Sequence, residues 1–197
     1  LFGHFIGAIR GASQYRKASF LLGAAGQQVF PAFLQMHERP HIPKALASSP
    51  FDAEGVATRD RDLVSGGVLQ GYVLSSYSAR KLGLRTTGNA GGIHNLIVTS
   101  SAEAPDFAQL LARMRTGLLV TELMGQGVNG VTGDYSRGAS GFWVEEGAIA
   151  YPVQEITIAG NLREMYANIV AVGSDVDTRG AIRTGSVLLE GMTVAGE

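Results

Sequence analysis

No cysteine occurs anywhere in the 197 residues. That absence excludes disulfides and thiolate metal sites, and it suits a reducing cytosol as well as a cysteine-free secreted protein. Charge of one sign is missing too: 16 basic and 17 acidic side chains leave a formal net charge of −1. No chain-wide field therefore draws phosphate backbones or anionic lipid, and only a local basic patch could do so. No apolar run reaches the roughly 18 residues of a membrane-spanning helix, and no charged lead followed by an apolar core marks a secretory signal. The chain reads as soluble. It has no low-complexity tract and no fixed-period repeat. It starts at Leu1 inside an apolar segment, without Met or a polar lead-in, which suggests a piece of something longer.

What is present is apolar and rich in glycine. With 45% hydrophobic residues, the chain can bury a sizeable core as one domain or two small ones. The 27 glycines are about twice the usual share and are spread along the whole length, which points to many turns and close backbone approaches. Phe2, Phe5, Ile6 and Ile9 recur at helical spacing and predict a helix packed on a core. Prolines 31, 40, 43 and 50 predict an irregular crossing loop over 31–50, the best candidate for a subdomain boundary. Residues 61–77 read as two strands joined at Ser65-Gly66-Gly67, followed by a helical turn ended by Gly83. Phe107, Leu110, Leu111 and Met114 predict an amphipathic helix over 105–116, and Asn161 with Glu164 marks the start of another over 161–172. Strands are expected at 93–99, 117–123, 128–132, 140–146, 148–158 and 186–194. Short strands that mostly follow one another predict an α+β class, with a largely antiparallel, β-rich sheet or barrel-like core and a few packed helices.

Two regular expressions invite chemistry. Gly125-Gln126-Gly127-Val128-Asn129-Gly130 is a literal G-x-G-x-x-G, but a pyrophosphate cradle needs a helix opening after the glycines, and no helical stripe follows. The expectation is that these glycines relieve strand bends. His37-Glu38-Arg39-Pro40-His41 is a literal H-E-x-x-H, which binds zinc when both imidazoles share a helical face. Pro40 inside that turn would cost ~3 kcal/mol in a helix interior, so two exposed loop histidines are expected. Ser136 has no neighbouring histidine and no nucleophile elbow, which argues against a serine hydrolase. His94 and Asn95, at the entrance to an apolar strand, and Asp134, Tyr135 and Arg137, in a polar cluster between Gly133 and Gly138, are the candidate peptide- or partner-contact residues. The bland alternatives are a hydrogen-bonded imidazole at His94 and a solvated turn closed by an Asp134–Arg137 pair. The lone Trp143 is expected in a strand, more often core than platform.

The runs SSPFDAEGV, SYSARKLG, TGNAGGIHN, TELMGQGVNGVTGDYSRGASGFWVEEG, YPVQEITIAGNL and GSVLLEGMTVAGE resemble the C-terminal half of the TldD/PmbA family, in its PmbA (TldE) branch, over essentially the whole chain. The resemblance implies a bacterial cytoplasmic protein, first described in this family as a modulator of DNA gyrase. It also implies a share in a TldD–TldE heterodimeric zinc metallopeptidase that trims peptides, including the leader of a modified peptide antibiotic, and degrades an antitoxin. TldD-like members carry H-E-x-x-x-H on a helix and a cysteine near the C-terminus. Here the matching positions are Phe2, Gly3 and Gly7, with Thr184 or its neighbours at the cysteine. His4 is near but displaced. The resemblance thus implies no catalytic and no metal-binding residue in this chain, with zinc expected in a TldD-like partner. Extended peptides would be the substrates, without direct nucleic acid or membrane contact. A homodimer and a non-proteolytic interaction protein modulating DNA gyrase or another regulator are the alternatives.

Overall fold

The computed structural model describes residues 1–196. The last residue of the final quoted run, Glu197, lies outside them. The first elements are helices α1 (Phe2–Ile9) and α2 (Gly11–Tyr15). Phe2, Phe5, Ile6 and Ile9 are all buried, as their spacing predicts. Arg10 breaks the helix by turning extended, and the Gly11 amide donates to the Val73 carbonyl at 2.9 Å. A side chain on Gly11 would collide with Ser78, so glycine lets α2 lie against the later helix α3 (Ser76–Leu82).

A five-stranded sheet contains β1 (Leu34–Glu38), β2 (Arg61–Ser65), β3 (Val68–Leu69), β4 (Leu96–Ser100) and β9 (Ile182–Arg183), in the order β3-β2-β1-β4-β9. Only the β4–β9 pair is parallel. The stretch 31–50, expected as irregular, therefore holds the central strand of this sheet. Leu34, Met36 and Glu38 alternate inward, and the charge at the third inward position hides that alternation from a sequence reading. The β2–β3 hairpin turns at Gly66 and Gly67, both at positive φ (58° and 75°), as a two-residue turn of this hand requires. α3 ends, as expected, at Gly83 in the left-handed conformation.

A four-stranded sheet, order β11-β7-β6-β5, contains β5 (Gly117–Met124), β6 (Asp134–Glu145), β7 (Ala148–Asn161) and β11 (Thr193–Ala195). Pro152 stays inside β7 because β11 covers only Thr157 to Ala159, leaving the proline on an unpaired edge. The strand expected at 128–132 does not form. Asn129 Oδ1 accepts instead from the amides of Val131 at 2.9 Å and Thr132 at 3.3 Å, a local bond that competes with a ladder. β6 starts earlier than expected, at Asp134.

The helix expected over 161–172 is shorter: α5 (Leu162–Ala167) is capped by Asn161, and β8 (Ile169–Val172) follows at once. The Ile169-Val170 step is β-branched and Val172 recurs two residues on, which favours the extended chain once Asn168 ends the helix. β8 pairs with β10 (Val187–Leu189). A turn at Gly191 (φ 77°) splits the expected 186–194 strand between two sheets. α4 (Phe107–Met114) forms within the predicted 105–116, with Asp106 and Gln109 as a reciprocal capping box. The core joins α1, α5 and inward residues of both larger sheets. Phe30 lies at its centre, 5.0 Å from the Phe5 ring and 4.9 Å from the Tyr166 ring. The α+β, mainly antiparallel class stands. Among the described residues no helix is long and apolar enough to cross a membrane.

Candidate functional site

The exposed side of α1 is nearly bare. Phe2 faces the core, while Gly3 and Gly7 have no other atom within 4 Å of where a Cβ would sit. This face opens onto a cavity of about 350 Å³ whose far wall comes from the 126–137 segment, with Gln126, Val128, Gly130 and Arg137 among its lining. The glycine fingerprint found in the sequence is part of that wall; Gly125, Gly127 and Gly130 lie in the loop between β5 and β6 and not at the strand bends expected of them. A side chain on Gly127 would fall on the Ser136 carbonyl, so glycine is what lets the loop fold back on β6, where the Ser136 amide donates to Gly127 O at 2.7 Å.

His4 and Arg137 border this cleft, and Tyr135 stands behind His4. The His4 ring meets Tyr135 edge-on, with centroids 6.0 Å apart. Burial holds the His4 pKa below its usual value, assisted by the positive charge of Arg137. Tyr135 is buried, which pushes its hydroxyl pKa up despite the nearby Arg137. Arg137 donates to the Met124 and Leu123 carbonyls, both at 3.4 Å. The Asp134–Arg137 pair of the alternative reading is absent: Asp134 instead accepts from Thr132 Oγ1 at 2.6 Å and Asn161 Nδ2 at 3.2 Å. The segment is the start of a strand and not a turn.

His94 and Asn95 belong elsewhere, at the entrance to β4 in the other sheet. The His94 ring nitrogens lie 3.3 Å from Ala47 O and 3.2 Å from Gly88 O, the hydrogen-bonded imidazole of the bland reading. Asn95 is fully buried; its amide donates to Arg39 O and Ser48 Oγ and accepts from the Ala47 amide. It cannot touch a peptide, which corrects the expectation for that residue. The five candidates thus form two groups on two sheets.

The H-E-x-x-H match is not a metal site. His37 and Glu38 lie on β1, where neighbouring side chains point to opposite faces. His37 is half-buried and bonded to Asp62 at 2.7 Å, a correction to the expected exposed loop; His41 is exposed and bonded to Thr58. Sequence reasoning missed the role of Glu38. Fully buried, it accepts from Arg61 Nε at 2.6 Å, Asn89 Nδ2 at 2.7 Å and the His94 amide at 2.8 Å. The available signal was a charge at an inward position of a period-two pattern.

Zinc, which the family resemblance implies, does not fit the residues at its motif positions. Phe2, Gly3 and Gly7 offer no donor atom, and Thr184, which bridges to Asp177, does not line the cleft. Among the described residues no group of three or more His, Asp or Glu side chains could hold a metal ion. A second, more apolar cavity of about 650 Å³ lies between α4, β5 and β10 and is lined by Phe107, Met114, Leu118 and Val187.

Comparison with known proteins follows the same outline. The family model for the PmbA/TldA metallopeptidase C-terminal domain matches residues 1–196. Metalloprotease PmbA of Escherichia coli O157:H7 is 58% identical over 197 residues, covering 100% of this chain and 43% of the relative. A metalloprotease PmbA homologue of Haemophilus influenzae is 56% identical, with 100% and 43% covered. The chain thus spans less than half the length of these relatives. A crystal structure of a candidate modulator of a DNA gyrase from Thermotoga maritima superposes with a TM-score of 0.89 at 37% identity, over 98% of this chain and 46% of that one. TldE of Thermococcus kodakarensis, at 24% identity, shares the fold, with a TM-score of 0.84 over 98% of this chain and 48% of its own.

Proposed function

The chain belongs to the PmbA/TldD metallopeptidase family as its C-terminal domain, and on that premise we propose that it is the metal-free side of a two-chain peptidase. A TldD-like partner carrying H-E-x-x-x-H would hold zinc and supply the activated water. This chain would close the chamber and align an extended peptide. The observation that carries the reading is the α1 face: the scaffold of the cleft is kept, while Gly3 and Gly7 stand where a ligand set and base would be needed.

Its own residues would contribute alignment. Arg137 and His4 border the cleft, with Tyr135 behind His4. The outer edge of β5 has no strand beside it among the described residues, so a peptide could add there by main-chain hydrogen bonds that place little demand on its side-chain sequence. β7 suits this less well, because Pro152 removes a donor from its unpaired stretch. Asp134 lies at the rim of the same segment.

Co-purification of the protein with a TldD-like chain, followed by a peptide-cleavage assay, tests this. Cleavage that requires both chains supports the reading. A tight complex with DNA gyrase and no cleavage in any combination would replace it with the modulator reading, which the Thermotoga maritima relative's description keeps in view.

A further inference from the structure

We propose that the cleft between α1 and the 126–137 segment is a carboxylate-binding pocket that takes an acidic group of a peptide, with Arg137 as its anchor. The identity of the ligand as a peptide rests on the reading above; the charge selection rests on the cleft itself.

Arg137 is the first reason. Its two hydrogen bonds, to the Leu123 and Met124 carbonyls, are both at the long limit of 3.4 Å. Nη1 makes none among the described residues, and no carboxylate lies within 4.0 Å of the guanidinium. Five donors in a planar fork fit a carboxylate in a bidentate way, and the two long carbonyl bonds together with the neighbouring Tyr135 hydroxyl engage only part of that fork.

The second reason is the lining. Among the described residues no acidic side chain borders the cavity; the polar ones besides Arg137 are His4, Ser13 and Gln126. Ser13 donates its proton to Gly7 O at 2.8 Å and so offers the carboxylate no donor; the donors of the pocket are those of Arg137, Gln126 and His4. Phe20 and Leu162 supply apolar walls, and a guanidinium–carboxylate pair is stronger beside such walls than in open water. His4, whose pKa burial lowers, adds an imidazole to the same lining.

The third reason is shape. The open space over Gly3 and Gly7 leaves a trough along α1, and a cavity of about 350 Å³ holds a whole residue. An anion alone would leave most of it empty. The ligand is therefore a carboxylate on an organic body: either the C-terminus of a peptide or an Asp or Glu side chain within it.

The test uses the full-length protein without zinc or a partner chain, so its failure cannot be confused with failure of the two-chain peptidase. Three N-acetylated apolar pentapeptides are titrated and followed by NMR shifts: one with a free C-terminus, one amidated, and one amidated with a central Glu. At least one carboxylate-bearing peptide should bind about tenfold tighter than the plain amide, a difference of about 1.4 kcal/mol. Which one does so identifies the source of the carboxylate. Arg137→Gln should reduce that peptide to the level of the amide, and Arg137→Lys should recover part of the preference. Gly7→Leu, growing into open space on a helix that tolerates it, should abolish binding with an unchanged circular-dichroism spectrum. Equal affinities for all three peptides, absence of binding by any of them, or an undiminished preference in folded Arg137→Gln would overturn the proposal.

Discussion

Glu38 and Arg61 form a pair inside the five-stranded sheet, with Arg61 Nε donating to Glu38 Oε2 at 2.6 Å and the carboxylate fully shielded from water. The glutamate of the sequence's H-E-x-x-H is thus a structural anchor. It ties β1 to β2 and, through Asn89 and the His94 amide, to the loop that enters β4. Removing one member of such a pair strands the other without its partner. Glu38→Ala is expected to destabilise the fold by about 3–5 kcal/mol, read as a lowered urea midpoint. A change below ~1 kcal/mol would mean that the network contributes little.

Asp52 makes stability depend on acid. Burial alone would raise its pKa, but Ala90, Val56 and Glu54 donate their amides to it at 2.8, 3.0 and 2.9 Å, and His94 is nearby; together these hold it below the usual carboxylate value. A depressed folded-state pKa adds stability that is complete above the unfolded value of about 3.9 and is lost as pH falls through the lower folded value. Asp52→Asn should cost about 1–3 kcal/mol at neutral pH. The gap between parent and variant should narrow below pH ~4, as followed by denaturation across a pH series.

The Tyr166 hydroxyl is buried without a hydrogen-bond partner among the described residues, and burial, with Tyr135 nearby, pushes its pKa far up. An unpaired hydroxyl in the core is a cost the fold carries. Tyr166→Phe keeps the ring in its tilted contact with Phe30 and should leave stability unchanged or raise it by about 1 kcal/mol. A clear loss would reveal a bonded hydroxyl.

Gly127 allows the loop to meet Ser136 backbone to backbone. Gly127→Ala should cost about 1–3 kcal/mol through overpacking and speed hydrogen exchange at the Ser136 amide. Gly130→Ala, with no atom within 4 Å of the new Cβ, is the control and should leave that amide protected.

Sequence reading reached the elements whose signals are local. Phe2, Phe5, Ile6 and Ile9 mark their helix within three turns, Gly66-Gly67 marks its hairpin, and Gly83 its helix end. It failed where a distant partner decides. β1 was hidden by flanking prolines and by Glu38, whose charge makes sense only once Arg61 is known to stand beside it. The strand expected at 128–132 lost to a side-chain bond from Asn129, and Val170 and Val172 were drawn from helix into strand by pairing with β10. The cleft was half legible. Tyr135 and Arg137 were candidates, yet Gly3 and Gly7 register in a sequence only as missing side chains. Their i, i+4 spacing opposite the apolar stripe is the signal that marks the open face. Asn95 was named for its neighbourhood, and its complete burial follows from contacts with Arg39 and Ser48 far along the chain.

Elemental analysis of the purified protein for zinc, after incubation with the metal and removal of the excess, tests the central claim most directly. The reading expects no stoichiometric zinc and no peptide cleavage by this protein alone, because Phe2, Gly3 and Gly7 occupy the positions where ligands would stand. One tightly held zinc per chain, accompanied by cleavage without a partner, would contradict it.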